Sequence, residues 1–262
     1  MKRPRELSVL FWNLMGNQKT TWTTRSVNLQ RSIDRLARKE DIDILLFAES
    51  GFASRDLLTP LNRDQPRKYF DVHPENERLQ VISRLSETQI KPRYQSLDQR
   101  LLILRFAEAI FKAQEIAQLE DTDRHQNTIL VGDLNMDPFH PGLVTAHAFN
   151  AVMTRKIAER EERKVSEKSY RFFYNPMWGF FGDQSLGPAG TCYFSPKEPV
   201  WYYWNMFDQV LLRPSMMDLL RDLAILYSDS QESFLTSNAT PNKTRFSDHL
   251  PILFRLRLFE GE

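Results

Sequence analysis

Polar side chains of the kind that bind metal ions or phosphate stand where apolar segments of this sequence end or begin. Carboxylate and amide oxygens are the ligands that a hard cation such as Mg²⁺ prefers. A histidine with a carboxylate partner suits chemistry at a phosphoryl oxygen, because its imidazolium can donate to the developing charge. Taken singly, each such residue is more often a solvated strand end, a cap or a turn. The set comprises Asn13, Glu49, Asp133, Asn135, Asp208, Asp248 and His249.

Apolar runs predict the strands that position this set. Residues 7–14, 41–50 and 127–135 are short apolar segments with polar residues at their ends, a pattern typical of buried strands. Residues 208–213 and 250–259 predict the last two strands, with Asp208 at the start of one and Asp248-His249 just before the other. The strands therefore present Glu, Asp, Asn and His side chains to one edge of a sheet.

The other segments predict helices and further strands. Apolar residues recur at helical spacing in 25–39 and 106–119. Residues 69–104 predict successive strands, and the charge-dense segment 154–168 predicts a solvated helical face or a flexible excursion. Strands and helices mix without strict alternation, which favours a two-layered β core with flanking helices.

Composition narrows the class of protein. The chain has 262 residues, and we predict one domain over 1–262. A net charge of +1 provides no global attraction to nucleic acid. The single cysteine, Cys192, excludes an internal disulfide and indicates a reducing, cytoplasmic compartment. No apolar run approaches the roughly 18 residues of a transmembrane segment, and nothing in the sequence predicts an oligomeric state.

Five motifs, taken in order, resemble the motif series of the endonuclease/exonuclease/phosphatase superfamily, also called DNase I-like proteins. They are WN at 12–13, AES at 48–50, GDLN at 132–135, FDQVLL at 207–212 and SDHLPI at 247–252. Together they span nearly the whole chain, and GDLN with SDHLPI is the most specific pair. The resemblance implies an α/β (α+β) fold, a four-layered sandwich of two packed, mostly antiparallel sheets flanked by helices.

The resemblance also implies an activity, the hydrolysis of a phosphate ester with Mg²⁺ or Mn²⁺. The leading interpretation is a nuclease that cleaves phosphodiester bonds in DNA or RNA. One alternative is a phosphatase or phosphodiesterase on a small or lipid phosphate, such as a phosphoinositide or sphingomyelin. Another is a binding module on the same fold that has lost catalysis.

Roles for single residues come from the same resemblance. Glu49 resembles the principal metal ligand and Asp248 a second acid near the metal. Asn13 would contact the metal or the phosphate, and Asn135 would hold a phosphate oxygen. Asp133 resembles the residue that positions the attacking water or takes its proton. The remaining pair is His249, which would donate to the scissile phosphate, and Asp208, which would orient that histidine.

The sequence departs from the family pattern at two places. Met15 stands where the family usually has a polar residue, two positions after the first Asn. Residues 100–105 lead directly into the helix at Phe106, where the family has a strand ending in a His-containing pair and a loop. We therefore expect a missing segment near 105–106, and this gap is the best support for the binding-module alternative.

Residues 170–207 hold 14 of the 31 aromatic residues together with many Gly and Pro. Core packing is the favoured interpretation of these rings. Exposed rings in such a loop could instead stack on nucleotide bases or enter a lipid surface, and the sequence does not separate these two.

Overall fold

The computed structural model describes residues 5–16, 23–72, 79–85, 90, 106–195, 199 and 202–258. Its strands are β1 Arg5–Asn13, β2 Ile44–Ala48, β3 Phe70–Asp71, β4 Leu79–Ser83, β5 Ile129–Asp133, β6 Ala151–Val152, β7 Glu162–Val165, β8 Lys168–Arg171, β9 Phe173–Tyr174, β10 Cys192–Tyr193, β11 Trp204–Asn205, β12 Asp208–Leu212, β13 Leu220–Ile225 and β14 Ile252–Leu258. Its helices are α1 Thr24–Lys39, α2 Ser54–Leu61, α3 Phe106–Asp123, α4 Pro141–Val144 and α5 Arg155–Ala158, with 3-10 turns at Pro176–Phe180 and Pro214–Leu219. None of the helices described is long and apolar enough to cross a membrane.

The chain divides into two compact units. The first unit comprises Met1–Leu101, Cys192–Phe194 and Arg221–Glu262, and the second comprises Leu102–Thr191 and Ser195–Leu220. The prediction of a single domain stays a prediction.

The first unit is built on a six-stranded sheet of order β13-β14-β1-β2-β4-β3. β1 lies at its centre, antiparallel to β14 and parallel to β2. Apolar residues such as Leu10, Trp12 and Phe47 are buried along these strands. Helix α1 begins with a capping box between Thr23 and Ser26, which satisfies N–H groups that the first turn leaves unbonded. Its buried face consists of Leu29, Ser32, Ile33, Leu36 and Ala37.

The second unit contains a four-stranded sheet of order β5-β12-β9-β6 and a separate hairpin of β7 and β8. β12 is antiparallel to β5 in continuous register from Asp208 opposite Asp133 to Leu212 opposite Ile129, and all five β12 residues are buried. A cluster of buried side chains, among them Leu130, Phe149 and Phe173, forms the core of this unit. The predicted fold class, α/β with two mostly antiparallel sheets and helices, is confirmed.

Three predictions need correction or fall outside these ranges. Segment 154–168 is not one helical face, because only Arg155–Ala158 is helical and β7 with β8 follows. Ser166 and Glu167 both have positive φ, 47° and 68°, as a two-residue hairpin turn requires. The predicted strand at 100–105 and the gap near 105–106 lie at or beyond the edge of the described residues.

Candidate functional site

The seven predicted site residues fall into two groups, one in each unit. The first group, in the first unit, is Asn13, Glu49, Asp248 and His249; the second group, in the second unit, is Asp133, Asn135 and Asp208. As predicted, each residue lies at the terminal position of a strand or in the connection just beyond or just before one, Asp248 and His249 preceding β14 at Ile252.

Backbone hydrogen bonds beyond the ends of β1 and β2 position Asn13 and Glu49. Asn13 is the last residue of β1 and pairs with Ala48 at the end of β2. The amide of Leu14 donates to the carbonyl oxygen of Ala48 at 2.9 Å, and the amide of Gly16 donates to that of Glu49 at 2.7 Å. The two strand ends are thus held together, with the half-buried Glu49 just beyond β2.

The backbone is strained in the segments that follow β1 and β2. Glu49 and Met15 have positive φ, 49° and 52°, a region that costs non-glycine residues energy and is concentrated at functional sites. A Cβ on Gly16 would lie 2.5 Å from the carbonyl oxygen of Glu49, so only glycine fits against this turn. At the position that departs from the family pattern, the amide of Met15 donates to Oδ1 of Asn13 at 2.9 Å.

The Asp248-His249 turn is attached to β1. Oγ of Ser247 donates to the carbonyl oxygen of Asn13 at 2.7 Å and accepts from the amide of His249 at 3.1 Å. Nε1 of Trp12 donates to the carbonyl oxygen of His249 at 2.9 Å. These contacts hold the backbone of His249, and Nε2 of its ring lies 4.0 Å from Oδ1 of Asp248.

Arg25, on α1, is a member of this site that the sequence analysis missed. Its guanidinium donates to the carbonyl oxygens of Phe246 and Leu14. Burial lowers the pKa of Arg25, and the charge of Asp248 opposes that shift. The sequence did not indicate this contact because Arg25 is 24 residues from Glu49 and more than 200 residues from Asp248.

The second group rests on the pairing of β5 with β12. Asp133 and Asp208 lie directly opposite each other, and a carboxylate oxygen of each lies within 4.8 Å of the other. Both are buried, with exposed fractions of 4% and 0%. The amide of Leu134 donates to the carbonyl oxygen of Phe207 at 2.7 Å, which extends the pairing past both carboxylates.

Asn135 and Asp137 lie in the turn that follows. The amide of Asn135 donates to Oδ1 of Asp133 at 2.9 Å, and Asn135 has a φ of 48° and an exposed side chain. Asp137 was not predicted; its Oδ1 accepts from the amide of Met206 at 2.7 Å. Burial raises the pKa of Asp137, and this hydrogen bond partly opposes the rise. The turn is therefore fastened to the segment that leads into Asp208.

An aromatic patch follows the same turn within the second unit. The ring of Phe139 lies 5.4 Å from Tyr202, 5.8 Å from Phe181 and 6.2 Å from Trp178, measured between centroids. Phe139 and Tyr202 are exposed. Core packing therefore accounts for the buried rings of Phe172 and Phe173 in segment 170–207, but not for this patch.

Solved structures match the chain over nearly its whole length. An endonuclease/exonuclease/phosphatase family protein from Bacteroides thetaiotaomicron is 13% identical at a TM-score of 0.55, with 99% of this chain and 100% of that one covered. TDP2 from D. rerio, complexed with a single-strand DNA product, is 12% identical at 0.54, with 97% and 99% covered. A family protein from Bacteroides vulgatus is 10% identical at 0.51, with 97% and 100% covered.

No protein-family model matches the sequence, and neither does any curated protein. At 10–13% identity the structural matches show the fold. The predicted resemblance to the endonuclease/exonuclease/phosphatase superfamily is therefore confirmed for the fold.

Proposed function

We infer that this protein is a divalent-metal-dependent phosphoesterase that hydrolyses phosphodiester bonds in DNA or RNA. The observation that carries the proposal is the placement of both groups at strand ends, on a fold shared with endonuclease/exonuclease/phosphatase proteins. One of the matched structures, TDP2, is complexed with single-strand DNA, which supports nucleic acid as the substrate class.

The donor set fits a divalent cation. Glu49, Asp248 and Asn13 supply carboxylate and amide oxygens, and these suit Mg²⁺ or Mn²⁺. Within the second unit, carboxylate oxygens of the buried Asp133 and Asp208 lie within 4.8 Å of each other and are donors of the same kind. A bound cation would neutralise the charge that develops on the phosphoryl oxygens.

The side chains divide the remaining work. Asp133 would orient the attacking water and accept its proton. The exposed amide of Asn135 would hold a phosphate oxygen, and the ring of His249 would donate to the scissile phosphate. That Asp208 orients His249 stays a prediction, since the two residues belong to different units.

The test is a substrate panel with purified protein and Mg²⁺ or Mn²⁺. Plasmid DNA, single-stranded DNA, RNA, inositol phosphates and sphingomyelin serve as substrates, with excess EDTA and a Glu49→Gln variant as controls. We expect cleavage of at least one nucleic acid, loss of cleavage in EDTA, and a loss of orders of magnitude in the variant. Full turnover in EDTA would refute the metal-dependent mechanism.

The aromatic patch favours a second candidate, hydrolysis of a lipid phosphate. Residues 134–142, 176–195 and 202–207, which contain the patch residues in the sequence, include no Lys or Arg, whereas protein surfaces that bind nucleic acid are usually basic. Exposed Phe and Tyr side chains without cations suit a zwitterionic lipid surface. Cosedimentation with phosphatidylcholine vesicles, compared between wild type and Phe139→Ser, separates this candidate from the nuclease.

A further inference from the structure

One guanidinium group contacts two of the three backbone segments that carry the first group, those of Asn13 and of Asp248-His249. Arg25 lies in the first turn of α1, and its Nε donates to the carbonyl oxygen of Phe246, directly before the Ser247–His249 turn. Its Nη2 donates to the carbonyl oxygen of Leu14, directly after Asn13. Asp248 lies close enough for its charge to act on Arg25.

The place of this cation in its helix calls for an explanation. A positive charge in the first turn of a helix is opposed by the helix dipole, and α1 has no acidic residue in that turn. The half-buried guanidinium also loses hydration. Both costs are offset at Arg25 by the two carbonyl oxygens and the carboxylate of Asp248, so these contacts account for an arginine at this position.

We propose that Arg25 is a positioning residue that holds Asn13 and the Asp248-His249 turn in the fixed relation that catalysis requires. The inference rests on the proposed function of the same site. A displacement of about 1 Å in a catalytic group can cost about 100-fold in rate. The planar fork of arginine can reach two carbonyl oxygens at once, which the single ammonium group of lysine does not reproduce.

The experiment compares Arg25→Ala and Arg25→Lys with a matched control on the same helix. Arg38 also donates to two carbonyl oxygens, those of Pro60 and Arg63, and to Asp34, but none of these partners adjoins a residue of the first group. The probe is bis(p-nitrophenyl) phosphate with Mn²⁺. We expect kcat to fall about 100-fold in Arg25→Ala with little change in KM, and to fall in Arg25→Lys as well. In Arg38→Ala we expect kcat to stay at the wild-type value.

Rescue distinguishes positioning from a structural role alone. Guanidinium chloride at non-denaturing millimolar concentration should fill the space that the side chain leaves in Arg25→Ala and restore part of kcat. The same addition should leave the kcat of Arg38→Ala unchanged. Should Arg25→Ala fail to fold, Arg25→Lys decides the question on kcat. An unchanged kcat in a folded Arg25 variant, an equal loss in Arg38→Ala, or no rescue of folded Arg25→Ala would overturn the proposal.

A second measurement does not depend on activity. Hydrogen exchange at the His249 amide, which donates to Ser247 Oγ, should accelerate in Arg25→Lys and stay unchanged in Arg38→Ala. A wild-type protein that cleaves nothing would refute the proposed function, while the exchange result would still show whether Arg25 holds the Asp248-His249 turn. Unchanged exchange in a folded Arg25 variant would refute the positioning role of Arg25 and leave the proposed function standing.

Discussion

The two groups of site residues are supported in different ways. In the first group, turns beyond the strand ends are joined by a few backbone bonds, by Ser247 and by the guanidinium of Arg25. In the second group, Asp133 and Asp208 occupy opposite positions of a regular strand pair whose β12 residues are all buried. One group therefore depends on irregular backbone, and the other on a sheet.

This difference predicts two kinds of failure. A sheet position moves only when the sheet is lost, so changes that disturb the second group should act through the stability of the unit. A turn held by a few contacts can shift while the strands remain. Changes near the first group should therefore reduce activity more than they reduce stability.

The largest effect is expected at the base of β12. Arg213 follows the last residue of β12, and its Nε and Nη2 donate to both carboxylate oxygens of Glu120 at 2.8 and 3.1 Å. Both residues are buried. Arg213→Met removes both of these bonds and leaves the buried Glu120 carboxylate with Nη1 of Arg171, at 3.3 Å, as a cationic partner. The free energy of unfolding, measured by urea denaturation, should fall by about 3 kcal/mol, the lower end of the cost of breaking a buried pair.

The double variant Arg213→Met with Glu120→Leu is the matched control, because replacing both members of a buried pair by apolar residues is often near neutral. Activity per folded molecule should stay close to wild type in both variants. A single variant as stable as wild type would show that the second group does not depend on this pair.

The next effect concerns activity in the first group. His249→Ala should lower kcat about 10²–10³-fold, equivalent to ~2.7–4 kcal/mol, because a donor to developing charge is lost. The free energy of unfolding should fall by less than the ~2.7–4 kcal/mol lost in catalysis, since the bonds of Trp12 and Ser247 to the backbone of His249 remain in the variant. His125→Ala, at an exposed position, is the control. Equal kcat values for the two histidine variants would show that His249 takes no part in catalysis.

The strands that carry the site could be predicted from the sequence because their signal is local. The apolar runs at 7–14, 41–50 and 127–135 contain β1, β2 and β5, and the polar residue at each end was visible in the sequence. The helical spacing in 25–39 likewise predicted α1 nearly to its ends.

What could not be predicted depends on contacts distant in sequence or on turn conformation. Charge density at 154–168 suggested solvated helix, but the positive φ of Ser166 and Glu167 directs the chain into a hairpin. Nothing near Arg25 indicates its bonds to Phe246, 221 residues away. The buried Asp137 was passed over because its partner, the amide of Met206, is 69 residues away.

A smaller effect is expected where glycine permits close backbone contact. In Gly16→Ala the new Cβ would lie 2.5 Å from the carbonyl oxygen of Glu49, so the turn must shift, at a cost of about 1–3 kcal/mol. Gly190→Ala in the second unit creates a similar clash, 2.6 Å from the carbonyl oxygen of Asn205. Gly179, with nothing within 4 Å of its Cβ position, provides the control.

Measuring kcat and unfolding together distinguishes the two clashes. Gly16→Ala should reduce kcat by a larger factor than Gly190→Ala at a similar loss of stability, since it displaces the turn that carries Glu49. Equal loss of kcat in both variants would contradict the distinction between the two groups.

The smallest effect concerns the link between α1 and the loop after β13, at about 1 kcal/mol or less. Burial alone would raise the pKa of Asp229, but hydrogen bonds from Ser32, Arg35 and backbone amides outweigh it and lower the pKa. The stabilisation from this carboxylate is therefore complete above its unfolded pKa of about 3.9 and is lost as the pH falls through the lower folded value. The difference in unfolding free energy between wild type and Asp229→Asn should be constant near neutral pH and shrink below about pH 4.

Asp222→Asn, which removes an exposed partner of Arg255, is the comparison variant. A difference that grows as the pH falls would show that burial dominates at Asp229, and that α1, which carries Arg25, is not held by this charge.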